Sequence, residues 1–174
     1  ERSMSLRRSK GFTLVELMVT LAVVAILGTM ALPSFQSTLR SNRIASAGNE
    51  VTGLLSLARS EGVRNKRGGG VCGSSDGSSC DGTWSAGMLA WSDVNGNGTL
   101  DSGETVLRFV AISSDSVTVS GPSAEIAFDN RGRLVAAPSR TVTMQPVKCG
   151  KALLRRTLTV NAAGQINSTK AACQ

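Results

Sequence analysis

The sequence contains no histidine and no tyrosine, and aromatic residues make up only 3% of its 174 residues. Histidine is the most common general base and metal ligand, so its absence removes the usual starting point for an enzyme. The sequence also has neither a nucleophile elbow nor a phosphate-binding loop. The composition therefore predicts a protein that is not an enzyme, and no residue is assigned a catalytic role.

Charge is nearly absent from one long stretch, Phe12 to Leu32, which carries a single ionisable side chain, Glu16. A helix that spans a bilayer needs about 20 such residues. A basic lead precedes it, as expected for a segment that stays on the cytoplasmic side. An ordinary signal peptide fits poorly, because its apolar region is shorter and small residues follow it. A plain signal anchor with a tolerated interfacial glutamate is the simplest interpretation.

A closer match comes from the segment Ser9–Val19, SKGFTLVELMV, followed by the apolar run and Pro33. This arrangement resembles the class III leader of type IV pilins and of the pseudopilins of type II secretion. The resemblance implies that prepilin peptidase cuts between Gly11 and Phe12 and that Phe12 is then N-methylated. It also implies that Glu16 pairs with the N-terminal amine of a neighbouring subunit during assembly.

A second segment, Leu57–Val63 (LARSEGV), resembles a signature of the branch that holds the minor pilins FimT and FimU and the minor pseudopilin H. Gly62 replaces the usual alanine, which weakens a helix by about 1 kcal/mol. Arg59 and Glu61 are interpreted as ordinary helix residues without a chemical role. The resemblance implies other minor pilins, the major pilin, prepilin peptidase and the inner membrane as partners. The implied course is single-pass insertion with a periplasmic domain, then incorporation near the tip of a pilus or secretion pseudopilus.

The predicted fold class is α+β, with a long N-terminal helix packed on antiparallel β-sheet. The predicted parts are a leader (1–11), an assembly helix (12–33), an amphipathic helix that continues the spine (34–67) and a β-rich domain (68–174). The apolar stripe of the second helix begins at Phe35 and continues through Leu39, Ile44, Ala47, Val51, Leu54 and Ala58. The resemblance implies two sheets. Residues 69–85, rich in glycine and serine, are predicted to form a loop.

Seven short strands are predicted from runs of β-branched residues, or of alternating apolar and polar residues, that lie between turn residues. They are predicted at Met88–Trp91, Val106–Ile112, Val117–Val119, Ile126–Phe128, Thr141–Met144, Leu153–Val160 and Gln165–Asn167.

Only four cysteines occur, and all follow the apolar run: Cys72, Cys80, Cys149 and Cys173. An even number in an oxidising compartment indicates disulfides. Three pairings are possible, and Cys72–Cys80 with Cys149–Cys173 is favoured because these cysteines are nearest in sequence. Zinc binding is the weaker alternative, since there is no CxxC motif and no histidine.

The stretch Asp93–Glu104, DVNGNGTLDSGE, matches the loop pattern of calcium-binding EF-hands in full. The ligands would be Asp93, Asn95, Asn97, Thr99, Asp101 and Glu104. The flanking segments read as strands rather than helices, so a polar hairpin is the alternative. No cofactor is required by the sequence, and calcium is a possible one.

Acidic residues are absent from residues 131–174, which carry eight lysines and arginines. Such a surface can bind phosphate without reading a base sequence. FimT-type members of the branch include DNA receptors, so DNA is an alternative partner, with Lys148, Lys151, Arg155 and Arg156 as candidate contacts. The stretch Gly164–Asn167 lacks the two arginines of the FimT motif. A basic face for solubility or subunit docking is the simpler interpretation.

Overall fold

The computed structural model describes residues 11–136, 138–150 and 152–174. The basic lead of the leader and the DNA-contact candidate Lys151 lie outside these residues. The chain divides into two compact units, Glu1–Thr38 and Leu39–Gln174. Helix α1 runs over Leu14–Asn65 and so contributes to both units. The predicted single spine is confirmed, and its end lies two residues before the predicted one.

In its described part, residues 11–38, the first unit is an apolar helix whose side chains are almost all exposed. The described large apolar side chains from Phe12 to Leu32 are exposed, and Phe12 reaches 84% exposure. This part of α1 is long and apolar enough to cross a membrane, by length and composition. Surfaces of this size and character are stable only when lipid or other subunits cover them.

The second unit contains two antiparallel four-stranded sheets, which confirms the α+β fold. The first sheet has the order β3-β2-β1-β5 and the second the order β4-β6-β7-β8. The strands are β1 (Gly68–Gly73), β2 (Gly87–Asp93), β3 (Thr105–Ala111), β4 (Val117–Ser120), β5 (Ile126–Asp129), β6 (Ser139–Pro146), β7 (Arg155–Asn161) and β8 (Ile166–Ala171).

One apolar core joins α1 to both sheets. Val51, Leu54 and Leu55 of α1 are fully buried. They belong to the same cluster as Phe128 of the first sheet and Leu158 of the second. Strand alternation places one face of each sheet against the helix, and burial of a large aliphatic side chain contributes about 1.5–3 kcal/mol.

The predicted apolar stripe of α1 is correct from Ile44 to Ala58 and wrong at its start. Phe35 is 61% exposed and Leu39 is 38% exposed, whereas Ile44 is 4% exposed. Helical periodicity shows which residues share a face, but it does not show where along the helix the covering sheets begin.

The prediction of a loop over residues 69–85 is correct for residues 74–85 and wrong for residues 69–73, because Gly68–Gly73 forms β1, a fully buried strand inside the first sheet. Its glycines allow close packing: a Cβ on Gly70 would overlap the Trp91 ring, and a Cβ on Gly69 would overlap the Ala58 carbonyl oxygen. Glycine weakens a strand in general, yet it is required where another backbone or ring approaches this closely.

Both disulfides close segments at the ends of strands. Cys72 of β1 is bonded to Cys80 in the following loop. Cys149, between β6 and β7, is bonded to Cys173 after β8. These are the two pairs favoured by proximity in the sequence. Closing loops of this length contributes roughly 3 kcal/mol each in the chain-entropy account.

Two glycine turns meet where the sheets approach each other. Gly132 follows β5, and Gly164 connects β7 to β8 with a φ of +74°. A Cβ on Gly164 would collide with the carbonyl oxygen of Gly132. Gly164 therefore has both a conformational and a steric reason to lack a side chain.

Substitution of Gly164 tests this close approach. Gly164→Ala should lower the free energy of unfolding by more than the roughly 1–2 kcal/mol that a positive φ costs an L-residue. Gly96→Ala is the matched control, since Gly96 has a φ of +77° and open space around it. Chemical denaturation of both variants measures the difference, and equal losses would show that the turns do not press on each other.

Candidate functional site

The predicted processing and assembly residues lie together at the start of the described chain. Gly11 and Phe12 precede α1 and are exposed. Thr13 caps the helix, because its hydroxyl accepts the Glu16 backbone N–H at 3.2 Å. A threonine followed three residues later by glutamate is the capping-box pattern, a signal that is readable in the sequence.

Glu16 is the one carboxylate in the apolar stretch, and it lies in the first turn of α1. A negative charge there is favoured by the helix dipole, by about 0.3–1 kcal/mol at an exposed position. Among the described residues its carboxylate has no hydrogen-bond or ion-pair partner.

The structure assigns Glu61 a role that the sequence analysis missed. Glu61 is only 7% exposed. Its Oε1 accepts the Ser92 hydroxyl of β2 at 2.9 Å. Arg64 donates to both carboxylate oxygens, with its Nε and Nη2 at 2.8 and 2.9 Å. Asn65 continues the network by donating to Ser92 at 3.0 Å. The end of α1 is thereby fixed to the first sheet.

Arg59, in the same signature segment, fixes the helix to the two glycine turns. Its Nε donates to the Gly132 carbonyl at 2.8 Å, and its Nη2 lies 3.5 Å from the Ala163 carbonyl. The segment LARSEGV therefore fastens the C-terminal end of α1 to the sheets. The usable signal was that both charged residues lie within three positions of Ala58, a residue of the predicted apolar stripe.

The candidate calcium loop connects β2 to β3 as a hydrogen-bonded turn. Asp93 is 2% exposed, and its carboxylate accepts the backbone N–H groups of Gly96 and Gly98 at 2.6 and 2.8 Å. Glu104 accepts the N–H groups of Val94 and Asp101 at 2.8 and 3.1 Å. The loop is thus ordered by its own side chains.

The remaining candidate ligands of this loop also bond to one another. Asn95 and Asn97 donate their side-chain amides to Asp101 at 2.7 and 2.6 Å. The Asn97 amide oxygen accepts the N–H and hydroxyl of Thr99. Within the described part of the chain, no three cysteine or carboxylate side chains gather as a metal cluster.

Three other carboxylates hold turns, and hydrogen bonds depress their pKa values. Backbone N–H groups of Ser78 and Ser79 hold the pKa of Asp76 well below its usual value. The Ser75 hydroxyl is the main cause that lowers the pKa of Asp81 to about 2. Burial raises the pKa of Asp129, but N–H groups of Arg133 and Arg131 and the Arg133 guanidinium lower it by more. Each of these carboxylates therefore stabilises the turn in which it lies.

The structure separates the candidate DNA contacts. Arg155 and Arg156 are the first two residues of β7, so their side chains lie on opposite faces of the sheet. Arg156 packs against α1, where a Cβ on Gly48 would lie 2.8 Å from its Cδ. Arg155 lines a shallow depression on the other face, with Gln174. Lys148 lies in the exposed connection between β6 and β7.

The fold and the N-terminal segment define a class of protein, the type IV pilin-like subunits. Residues 6–32 match the prokaryotic N-terminal methylation motif. Residues 47–164 match the family described as Type II transport protein GspH. The chain belongs to this family, whose members are structural pilins and pseudopilins.

Solved structures and curated proteins agree with this assignment. The chain is similar to the Pseudomonas aeruginosa type IV minor pilin FimU at 25% identity, covering 74% of this chain and 89% of that one, with a TM-score of 0.55. A second crystal form of FimU gives a TM-score of 0.52, with 72% and 91% covered at the same identity. Two P. aeruginosa fimbrial proteins are 36% identical over 55 residues, 32% of this chain. The chain spans about a third of the length of these curated relatives, 36%.

The Glu61 network has a direct stability test. Glu61→Ala leaves the buried Ser92 hydroxyl without its acceptor and should lower the free energy of unfolding by about 1–3 kcal/mol. The control is Glu50→Ala, which removes an exposed ion pair with Arg108 and should cost at most about 1 kcal/mol. Urea denaturation gives both values, and equal losses would contradict a special role for Glu61.

Calcium binding by the loop is a proposal that a titration resolves. If the loop binds calcium, millimolar calcium raises the melting temperature of the wild type, because a ligand that binds only the folded state stabilises it. Glu104→Gln removes the ligand expected to be bidentate and should abolish that rise. If calcium does not change the melting temperature of the wild type, the Asp93–Glu104 pattern is explained by the polar turn alone.

Proposed function

We propose that this protein is a minor pilin or minor pseudopilin that is incorporated near the tip of a filament and primes its assembly. The observation that carries the proposal is the combination of a methylation-motif helix with a globular unit similar to that of FimU. Prepilin peptidase, the other minor subunits and the major subunit are the proposed partners. The proposed course begins in the inner membrane, with the second unit in the periplasm.

The exposed carboxylate of Glu16 supports this proposal on physical grounds. A charge placed in apolar surroundings is stable only when it is paired. Cleavage before Phe12 would create an amine that is cationic near neutral pH. A neighbouring subunit, displaced along the filament axis, would bring its amine to Glu16. Each added subunit would then satisfy one otherwise unpaired charge.

DNA binding stays a prediction and receives less support from the geometry. The two arginines expected to act together lie on opposite faces of β7, so they cannot contact the same phosphate together. A gel-shift assay with the whole chain over a range of salt concentrations measures it, because phosphate contacts weaken steeply as salt rises.

The role of Glu16 is tested by assembly rather than by insertion. Glu16→Ala should leave a protein that is processed and bound to the membrane but absent from the filament tip, since loss of one partner of a desolvated pair costs about 3–5 kcal/mol. Glu16→Gln keeps the capping ability and removes the charge, so it should fail in the same way. Membrane fractionation, intact mass and co-purification with partner subunits are the measurements.

The control for this experiment is Glu50→Ala, which alters a carboxylate on the same helix within an exposed ion pair. It should enter the filament normally. Normal incorporation of Glu16→Gln would show that capping rather than charge is needed. Loss of membrane association by Glu16→Ala would show that Glu16 acts in insertion, against the proposal.

A further inference from the structure

A small cleft of about 70 Å³ lies between α1 and the second sheet. Its walls are the helix residues Ser41, Ile44 and Ala45 and the sheet-side residues Leu153, Leu154, Arg156 and Lys170. Two of these seven residues are cationic and none is acidic. The cleft therefore has the charge of a site for an anion.

Arg156 is held at this cleft in a way that leaves its charge unpaired. It lies on the face of β7 that also carries the buried Leu158 and Val160, so it points toward α1. Its Nε is buried and, among the residues that the structure describes, has no hydrogen-bond partner. A buried donor without an acceptor costs about 1–3 kcal/mol, which a bound anion would recover.

A second cation directly opposite makes the need for an anion stronger. Lys170 of β8 is the cross-strand partner of Arg156, so the two side chains share one face of the sheet. Like charges directly opposite destabilise an antiparallel pair. An anion between them turns this repulsion into two charge-assisted contacts, and phosphate matches arginine geometry.

A third cationic side chain, that of Arg40, lies beside the residues that line the cleft. Arg40 lies one residue before Ser41. Its Nε is also buried and has no hydrogen-bond partner in the described structure. Its Nη1 lies 3.5 Å from the Lys148 carbonyl oxygen. The three described ion pairs involve Arg64, Arg108 and Arg133, so neither Arg40 nor Arg156 is neutralised within the described residues.

An apolar residue at the cleft favours lipid as the source of the phosphate. Leu153 lines the cleft and is 60% exposed, and Val147 in the same β6–β7 connection is 50% exposed. Free phosphate or DNA gains nothing from such side chains, whereas exposed leucine and valine beside basic residues bind a membrane interface. Arg40 follows Leu32, the end of the apolar run, by eight residues, so the cleft is close in sequence to the proposed membrane segment.

We propose that this cleft binds the phosphate of an anionic phospholipid headgroup, with Arg156 and Lys170 in contact with the phosphate and Leu153 at the acyl boundary. The inference rests on the proposed membrane anchoring of the subunit before assembly. It gives the second unit its own contact with the bilayer, which must break when the subunit enters a filament.

The experiment uses the full processed chain in lipid nanodiscs of phosphatidylcholine with increasing fractions of phosphatidylglycerol. Amide hydrogen exchange of the β6–β7 connection, residues 147–154, is the measurement. Phosphatidylglycerol should slow this exchange in the wild type. Arg156→Gln should raise the lipid fraction needed for half protection about tenfold, the loss expected for a charge-assisted contact.

Arg155→Gln is the matched control, because it removes the same charge from the neighbouring residue on the opposite face of the sheet. It should respond to phosphatidylglycerol as the wild type does. Lys170→Gln serves as a second variant should Arg156→Gln have a lower melting temperature than the wild type. An unchanged response of Arg156→Gln and Lys170→Gln, or a wild type that does not respond, would overturn the proposal.

Two further arms identify the source of the phosphate. Inorganic phosphate or duplex DNA is added to the protein in nanodiscs of phosphatidylcholine alone. If inorganic phosphate slows the exchange of residues 147–154 as much as phosphatidylglycerol does, the ligand is a free anion and the lipid assignment is wrong. If DNA slows this exchange, the ligand is a nucleic acid and the lipid assignment is also wrong. No other subunit is present, so a Glu16→Ala chain should respond normally even if the proposed assembly role fails.

Discussion

The fold depends on one apolar face of α1 that two sheets share. Val51, Leu54 and Leu55 are fully buried in a cluster with residues of both sheets. Among the described residues, no strand of the first sheet pairs with a strand of the second. The relative position of the sheets is therefore set mainly by what each packs against on the helix. Truncation of Leu54 would remove contacts to the shared core, and such changes cost about 2–5 kcal/mol.

Glycines then decide how closely the sheets and the helix approach. β1 can lie inside the first sheet because its glycines leave room for the Trp91 ring and the Ala58 carbonyl. Gly164 and Gly132 bring the ends of the two sheets into contact, and Arg59 bonds to that junction. A helix that packs this tightly loses the freedom to shift along the sheets.

Sequence patterns predicted the features that depend on local chemistry. The helix, the positions of seven strands (β2 to β8) and the turn between β2 and β3 follow from periodicity, β-branching and Asn-Gly pairs. β1 was missed because glycine propensity argues against a strand, and the compensation comes from distant residues such as Trp91. The Glu61 network was missed because Ser92 lies 31 residues away in sequence. The separation of Arg155 from Arg156, in contrast, follows from strand alternation alone.

Two glutamates on α1 show how the same charge can serve opposite purposes. Glu61 is buried and has Ser92 and Arg64 within its own chain, so its charge is satisfied on folding. Glu16 lies among exposed apolar side chains and has no such partner in the described residues. A carboxylate in apolar surroundings opposes insertion into lipid, so its benefit must come after insertion. Folding uses the first glutamate, and in the proposed assembly the second would be completed by a cation from another chain.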